Sequence, residues 1–194
     1  HLKAGAKRVV ISGPSKSDGV DTLVIGANED KLETASEVIS NASCTTNSIA
    51  AVMSILDAEF GIEKAMLTTV HSYTASQVLQ DAPAKDMREA RAAAENIVPT
   101  TTGAAVAVTL TVPQLKDKFD GMSVRVPTPV VSLSDVTMVL SKNTSTEEIN
   151  SVLKKAAKEP YFQGIVGVSE EPLVSSDYIG NSHSGVVDLL LTNV

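Results

Sequence analysis

Apolar residues along the chain recur in two periods. Ile49, Val52, Met53, Leu56 and Phe60 are spaced by three and four, which puts them on one face of a helix. Thr45, Thr46 and Asn47 suit its amino-terminal end and Gly61 its stop. The same spacing in "STEEINSVLKKAAKE" predicts a second amphipathic helix, with Ile149, Val152, Leu153 and Ala156 as the buried face and Ser145 with Glu148 as a capping box. "IEKAMLTTVHS" instead alternates, with Leu67, Thr69 and His71 on one side of a strand. "RVVIS" (residues 8–12) and Thr22–Gly26 read as short strands, and residues 27–38 as a polar loop. "GMSVRVPTPVVSLSDVTMVLS" is the strongest strand signal, and Pro127 and Pro129 predict that its first half is an edge or a bend. "REARAAAENIV" allows a short helix. The segment after Thr102-Gly103 is a small-residue helix or an extended run, ended by Pro113. Tyr73–Glu89 is a long polar excursion of a length that usually serves function. The first forty residues read as the tail of an α/β unit, and the rest as an α+β unit.

Composition narrows the function. The chain has 194 residues, 43% of them apolar, enough for a packed core. Sixteen basic and 23 acidic residues leave a net charge of −7, which argues against non-specific binding to nucleic acid or an anionic membrane. A single cysteine excludes an internal disulfide framework and fits a reducing compartment. No apolar run is long enough to span a bilayer. The first residue is not methionine and the last ten form an apolar extended run, "GVVDLLLTNV", so a fragment is expected.

The cysteine, Cys44, lies at or just before the start of the first helix, where unpaired amides and the helix dipole favour a thiolate. His71 ends the strand that returns from that helix, which makes it the candidate base; His1 and His183 lie in poorer contexts. The competing reading is an inert thiol tucked into a core and a structural histidine. One cysteine with no dense His, Asp or Glu spacing gives no metal site. Ser43, Thr45 and Thr46 at the helix head, Thr102-Gly103, and Arg88, Arg91 and Arg125 could cradle anionic oxygens. Alternation with Val124 and Val126 puts Arg125 on the non-core side of its strand. Neither GxGxxG nor GxxxxGK[ST] occurs.

"SNASCTTN", "TTVHSYTASQ", "RAAAENIVPTTTGAA", "GMSVRVPTPVVSLSDVT" and "EEPLVSSDYIG" together resemble phosphorylating glyceraldehyde-3-phosphate dehydrogenases of bacterial type. "KAGAKRVVISGPSK" resembles the end of that family's Rossmann domain. The resemblance implies a division into residues 1–43, the end of an NAD-binding domain, and 44–194, the catalytic domain. The latter would be a mixed or mostly antiparallel sheet with helices on one face. It implies Cys44 as the acylated nucleophile and His71 as its base. Ser43, Thr45, Thr102 and Gly103 match substrate and inorganic-phosphate contacts, Thr74 and Arg125 the substrate phosphate, Arg88 the inorganic-phosphate side and Ser12 the cofactor. The implied partners are glyceraldehyde 3-phosphate, inorganic phosphate and NAD, in a cytoplasmic homotetramer. The family's glycine-rich turn, its ribose-reading acid and its "WYDNE"-like stretch have no counterpart in these residues, so the fragment alone is expected to be inactive. Alternatives are a relative specific for erythrose 4-phosphate or NADP, a Cys–His hydrolase, and a binding module with a structural thiol.

Overall fold

The computed structural model describes all 194 residues. Strands β1 (Val9–Ile11), β2 (Asp21–Thr22) and β3 (Val38–Ser40) form a parallel sheet in the order β1-β3-β2. Two expectations change here. The second strand stops at Thr22 rather than Gly26, because Asn28 pulls the chain into a turn: its Oδ1 accepts from the Val24 amide and its Nδ2 donates to the Thr22 carbonyl. The segment read as loop holds a 3-10 turn, Glu29–Glu33, and the start of β3 at Val38. Three residues suffice for β3 because it pairs on both sides.

Helix α1 (Cys44–Phe60) follows at once. Ile49, Met53, Leu56 and Phe60 are buried, as the three-four spacing predicts, and Val52 packs at the margin of the same core. Gly61 ends the helix at φ 69°, a conformation that glycine adopts without the cost of a Cβ. The chain then returns as β4 (Ile62–Ser72), runs through a long connection to β5 (Val98–Thr101) and forms α2 (Ala104–Thr111), β6 (Phe119–Val126), β7 (Ser132–Leu140) and α3 (Thr146–Ala156). β8 (Val166–Ser169) and β9 (Gly185–Asp188) make a small parallel pair.

The main sheet has the order β5-β6-β4-β7. β4 is parallel to β6 and antiparallel to β7, and β5 is antiparallel to β6, so the sheet is mixed. Successive rungs across β6, β4 and β7 on the helix-covered face are Gly121–Leu67–Val136, Ser123–Thr69–Ser134 and Arg125–His71–Ser132. α1, α2 and α3 close over a core that includes Met53, Phe60, Ile62, Leu67, Val108, Leu115, Phe119 and Leu153. Burying side chains of this size contributes roughly 1.5–3 kcal/mol each. The protein is thus an α+β unit preceded by a small parallel layer.

Of the edge or bend expected at Pro127 and Pro129, the bend is what forms: both prolines lie at residues 127–131, outside the ladder, so β6 is an inner strand and β5 and β7 are the edges. Three more expectations are corrected. Residues 88–97 form turns rather than a helix. Asp81 takes the Ala92 amide (2.8 Å) and Arg91 Nε (2.9 Å), and the Val78 carbonyl takes the Ala93 amide, so these groups serve the loop. At α3 only half of the capping box forms: Ser145 Oγ accepts from the Glu148 amide, while the Glu148 carboxylate accepts from the Thr144 hydroxyl. The carboxy-terminal run is a strand only to Asp188 and then turns, with Leu189 buried. β9 begins hard against α1. A Cβ on Gly185 would lie 2.3 Å from the Ser48 carbonyl oxygen, so no larger residue fits there without moving the helix.

Candidate active site

The link from β3 to α1 is only three residues long. Ala42 makes the turn with φ 57°, a left-handed backbone that costs a non-glycine residue about 1–2 kcal/mol. Ser43 then returns to extended geometry and caps the helix, its Oγ accepting from the Thr46 amide at 3.0 Å. Cys44 is therefore the first helical residue, and its side chain is exposed. The tight turn delivers the thiol to the positive end of a 17-residue helix.

His71 comes up from β4 on the covered face and is buried. Its Nε2 lies 3.4 Å from Cys44 Sγ. Its Nδ1 lies 2.7 Å from the Ser72 carbonyl oxygen and 2.5 Å from Arg125 Nη1, which is itself 3.3 Å from that carbonyl. The hydrogen bond with His71 is the main cause that lowers the Cys44 pKa from 9.0 to about 7. Partial burial opposes it, while the Thr45 amide and hydroxyl add to it. Roughly half the thiol is then ionised at neutral pH, against a few per cent for an ordinary cysteine. Arg125 is held below its usual pKa by burial, against the attraction of Cys44 and Glu89.

Arg125 lies on the covered face with His71 and Ser123, not on the non-core side as alternation suggested. At this end of the sheet that face carries polar side chains, Thr69, His71, Ser123 and Arg125, and Val124 and Val126 occupy the other face. The structure thus joins Cys44, His71 and Arg125, with Ser43 and Thr45 flanking the thiol. The other candidates make local contacts instead. Thr74, just past β4, pairs its hydroxyl with Ser76 and its amide with the Gln77 side chain. Thr102 Oγ1 accepts from the Ala104 amide and Gly103 occupies the cap position of α2, where an added Cβ would meet nothing within 4 Å. The Arg88 side chain is exposed on the long connection. Ser12 follows the carboxyl end of β1, one residue beyond the Ile11–Ser40 rung that leads to Cys44.

Sequence reasoning missed the polar residues behind His71 and Arg125. Thr69 and Ser123 are paired in register one rung below His71 and Arg125; their hydroxyls are buried without a protein partner, as is Arg125 Nε. The period of two that singled out His71 also reaches Thr69, and a step of two from Arg125 reaches Ser123. Cavities of about 260 and 290 Å³ lie elsewhere, beside β2 and under the long connection, and neither is lined by Cys44.

The family model for the C-terminal domain of glyceraldehyde 3-phosphate dehydrogenase matches residues 43–194. Glyceraldehyde-3-phosphate dehydrogenase 1 of Bacillus subtilis (strain 168) is 54% identical over 195 aligned residues, covering all of this chain and 58% of its own length. The enzyme of Geobacillus stearothermophilus is likewise 54% identical, with the same coverage. That of Mycobacterium tuberculosis (strain H37Rv) is 51% identical over 194 residues, covering all of this chain and 57% of its own. The chain spans a little over half the length of these relatives. With a family match over most of its residues and identity above half along all of them, it belongs to the glyceraldehyde-3-phosphate dehydrogenase family.

Proposed function

We propose that the protein is a phosphorylating glyceraldehyde-3-phosphate dehydrogenase, an NAD-dependent glycolytic oxidoreductase that converts D-glyceraldehyde 3-phosphate and inorganic phosphate to 1,3-bisphosphoglycerate. The observation that carries this reading is a thiol at the first position of α1, 3.4 Å from an imidazole that is backed by a guanidinium. The Cys44 thiolate attacks the aldehyde carbon, and the amide of Cys44, free at the helix head, is placed to stabilise the oxygen as charge grows on it. His71 Nε2 takes the hydroxyl proton of the hemithioacetal as hydride leaves, giving a thioester on Cys44. Inorganic phosphate then cleaves the thioester. NAD, when bound, accepts the hydride.

Residues 1–43 belong, in this reading, to the cofactor domain and 44–194 to the catalytic domain. The carboxyl ends of β1 and β3 point to the head of α1, and ligands of parallel α/β sheets bind at such ends. Ser12, exposed there, is the residue of this chain that would touch NAD. Arg125 and Thr74 would hold the substrate phosphate. Ser43, Thr45, Thr102, Gly103 and Arg88 would hold inorganic phosphate, two helix heads supplying amides. Exposed Met66, Met122, Leu133 and Val139 share the uncovered face of the main sheet, which supports association into a homotetramer. One free thiol supports a cytoplasmic setting, and no helix is long and apolar enough to cross a membrane.

The test is NADH formation by the full-length protein from glyceraldehyde 3-phosphate with inorganic phosphate, before and after alkylation of Cys44. Activity should vanish with the thiol; full activity after alkylation overturns the assignment. The same assay with erythrose 4-phosphate or NADP separates the related specificities.

A further inference from the structure

His71 Nδ1 has two neighbours it cannot serve at once. The Ser72 carbonyl, at 2.7 Å, can only accept, so it needs a proton on Nδ1. Arg125 Nη1, at 2.5 Å, can only donate, so it needs the Nδ1 lone pair. Nη1 also lies 3.3 Å from that carbonyl, so the guanidinium competes with Nδ1–H for one oxygen. The Arg125 contact is the shorter of the two, and on that ground we assign the lone pair to Nδ1 and the imidazole proton to Nε2, facing Cys44 Sγ, so that the Cys44–His71 pair holds one proton against a thiolate. When the guanidinium moves off, the lone pair is freed. Nδ1 can then bind a proton from solvent and donate it to the Ser72 carbonyl, and the pair holds two protons.

The Arg125 guanidinium is held here by His71 and the Ser72 carbonyl, with no carboxylate to anchor it. It makes no ion pair within 4 Å; the salt bridges of the chain are Arg91–Asp81 and Lys154–Glu170. Its Nε has no protein partner. The charged or titratable groups around His71 are Cys44 from α1, Arg125 from β6 and, acting on Arg125 from the long connection, Glu89. β5 and β7 contribute Val98 and Ser132 to this rung, both uncharged.

We propose that a tetrahedral oxyanion bound by Arg125 draws the guanidinium off His71 and makes the Cys44–His71 pair take up one proton, switching the imidazole to the form with Nδ1–H. In that form the ring gives its Nε2 proton to the oxyanion that thiolate attack creates on the aldehyde, and the neutral ring with Nδ1–H then presents Nε2 as the acceptor for that same hydroxyl proton when hydride departs. The substrate's own phosphate thereby sets the protonation of the base. Only the identity of the oxyanion rests on the functional reading; the coupling stands on the geometry of four groups.

The test is calorimetric titration of the whole protein with sulfate, which stays dianionic and carries no proton of its own, in buffers of different ionisation enthalpy near pH 8. The expected result is proton uptake approaching about one per sulfate, with affinity falling up to about tenfold per pH unit as the pH rises further. His71→Asn should still bind sulfate, which shows that it is folded, but with no uptake. Arg125→Leu should lose the sulfate site. Zero uptake by the wild type, equal uptake by His71→Asn, or equal sulfate binding by Arg125→Leu would each overturn the proposal. Dehydrogenase activity lost on Cys44 alkylation, together with zero uptake, would sink the coupling and leave the enzyme reading standing. Uptake of a proton by a full-length protein that lacks dehydrogenase activity would do the reverse.

Discussion

The two faces of the four-stranded sheet are built from alternate residues of the same strands, yet they do different work. One face carries Leu67, Thr69 and His71 from β4 with Ser123 and Arg125 from β6, and it lies under the helices. The other carries Met66, Met122, Leu133 and Val139, and it is open. The covered face needs fixed positions, because a thiol 3.4 Å from an imidazole is useful only at that spacing. The open face needs only apolar area. A one-residue slip of β4 would exchange His71 for Val70 and destroy both faces at once.

The sharpest way to break this contrast is at the thiol. On the proposed function, Cys44→Ser in the full-length protein should abolish dehydrogenase turnover, and His71→Asn should lower it by roughly 10²–10⁴. The second change should also show in alkylation. A thiolate with a pKa of about 7 is present above that pH and lost below it, so the wild-type rate rises through pH 7 and then levels. In His71→Asn the midpoint should move up toward about 8.5, read from iodoacetamide rates against pH. Next in size is Arg125→Leu. Losing a charge-assisted contact of about 1.5–3 kcal/mol should raise KM for the phosphorylated aldehyde some ten- to hundredfold, while KM for a substrate lacking the phosphate stays close to the wild-type value. On the open face, Met66→Glu with Leu133→Glu should shift the sedimentation profile toward smaller species and leave the alkylation profile in place. A changed profile would mean that the two faces are coupled through the sheet. The smallest effect is that of Ser43→Ala, which removes the α1 cap. It should cost about 1 kcal/mol and lower Tm by roughly 2–4 °C in a thermal melt.

Much of this was legible in the sequence, for reasons that differ by element. α1, β4 and α3 show their periods because each has one face on the core and one outside, and Gly61 and Ser145 mark ends that backbone chemistry requires. β3 was hidden because three residues paired on both sides need no alternation. The helix expected near Arg88–Val98 failed for a tertiary reason: Asp81, some ten residues away, takes the Ala92 amide. In the site, Cys44 and His71 were visible as a helix head followed by a returning strand. Arg125 was found by type but set on the wrong face, because a half-buried cation looks like a solvated one until its imidazole partner is known. Thr69 and Ser123 carry no sequence signal beyond position.

Gly185 gives the site a remote adjuster. It sits against the Ser48 carbonyl, one helical turn from Cys44, and leaves no room for a methyl group. Gly185→Ala would have to shove the head of α1 away, carrying the sulfur off its imidazole while every reacting group stayed chemically intact. A tail strand that shares no atom with the chemistry would in this way act as the shim that sets the working gap.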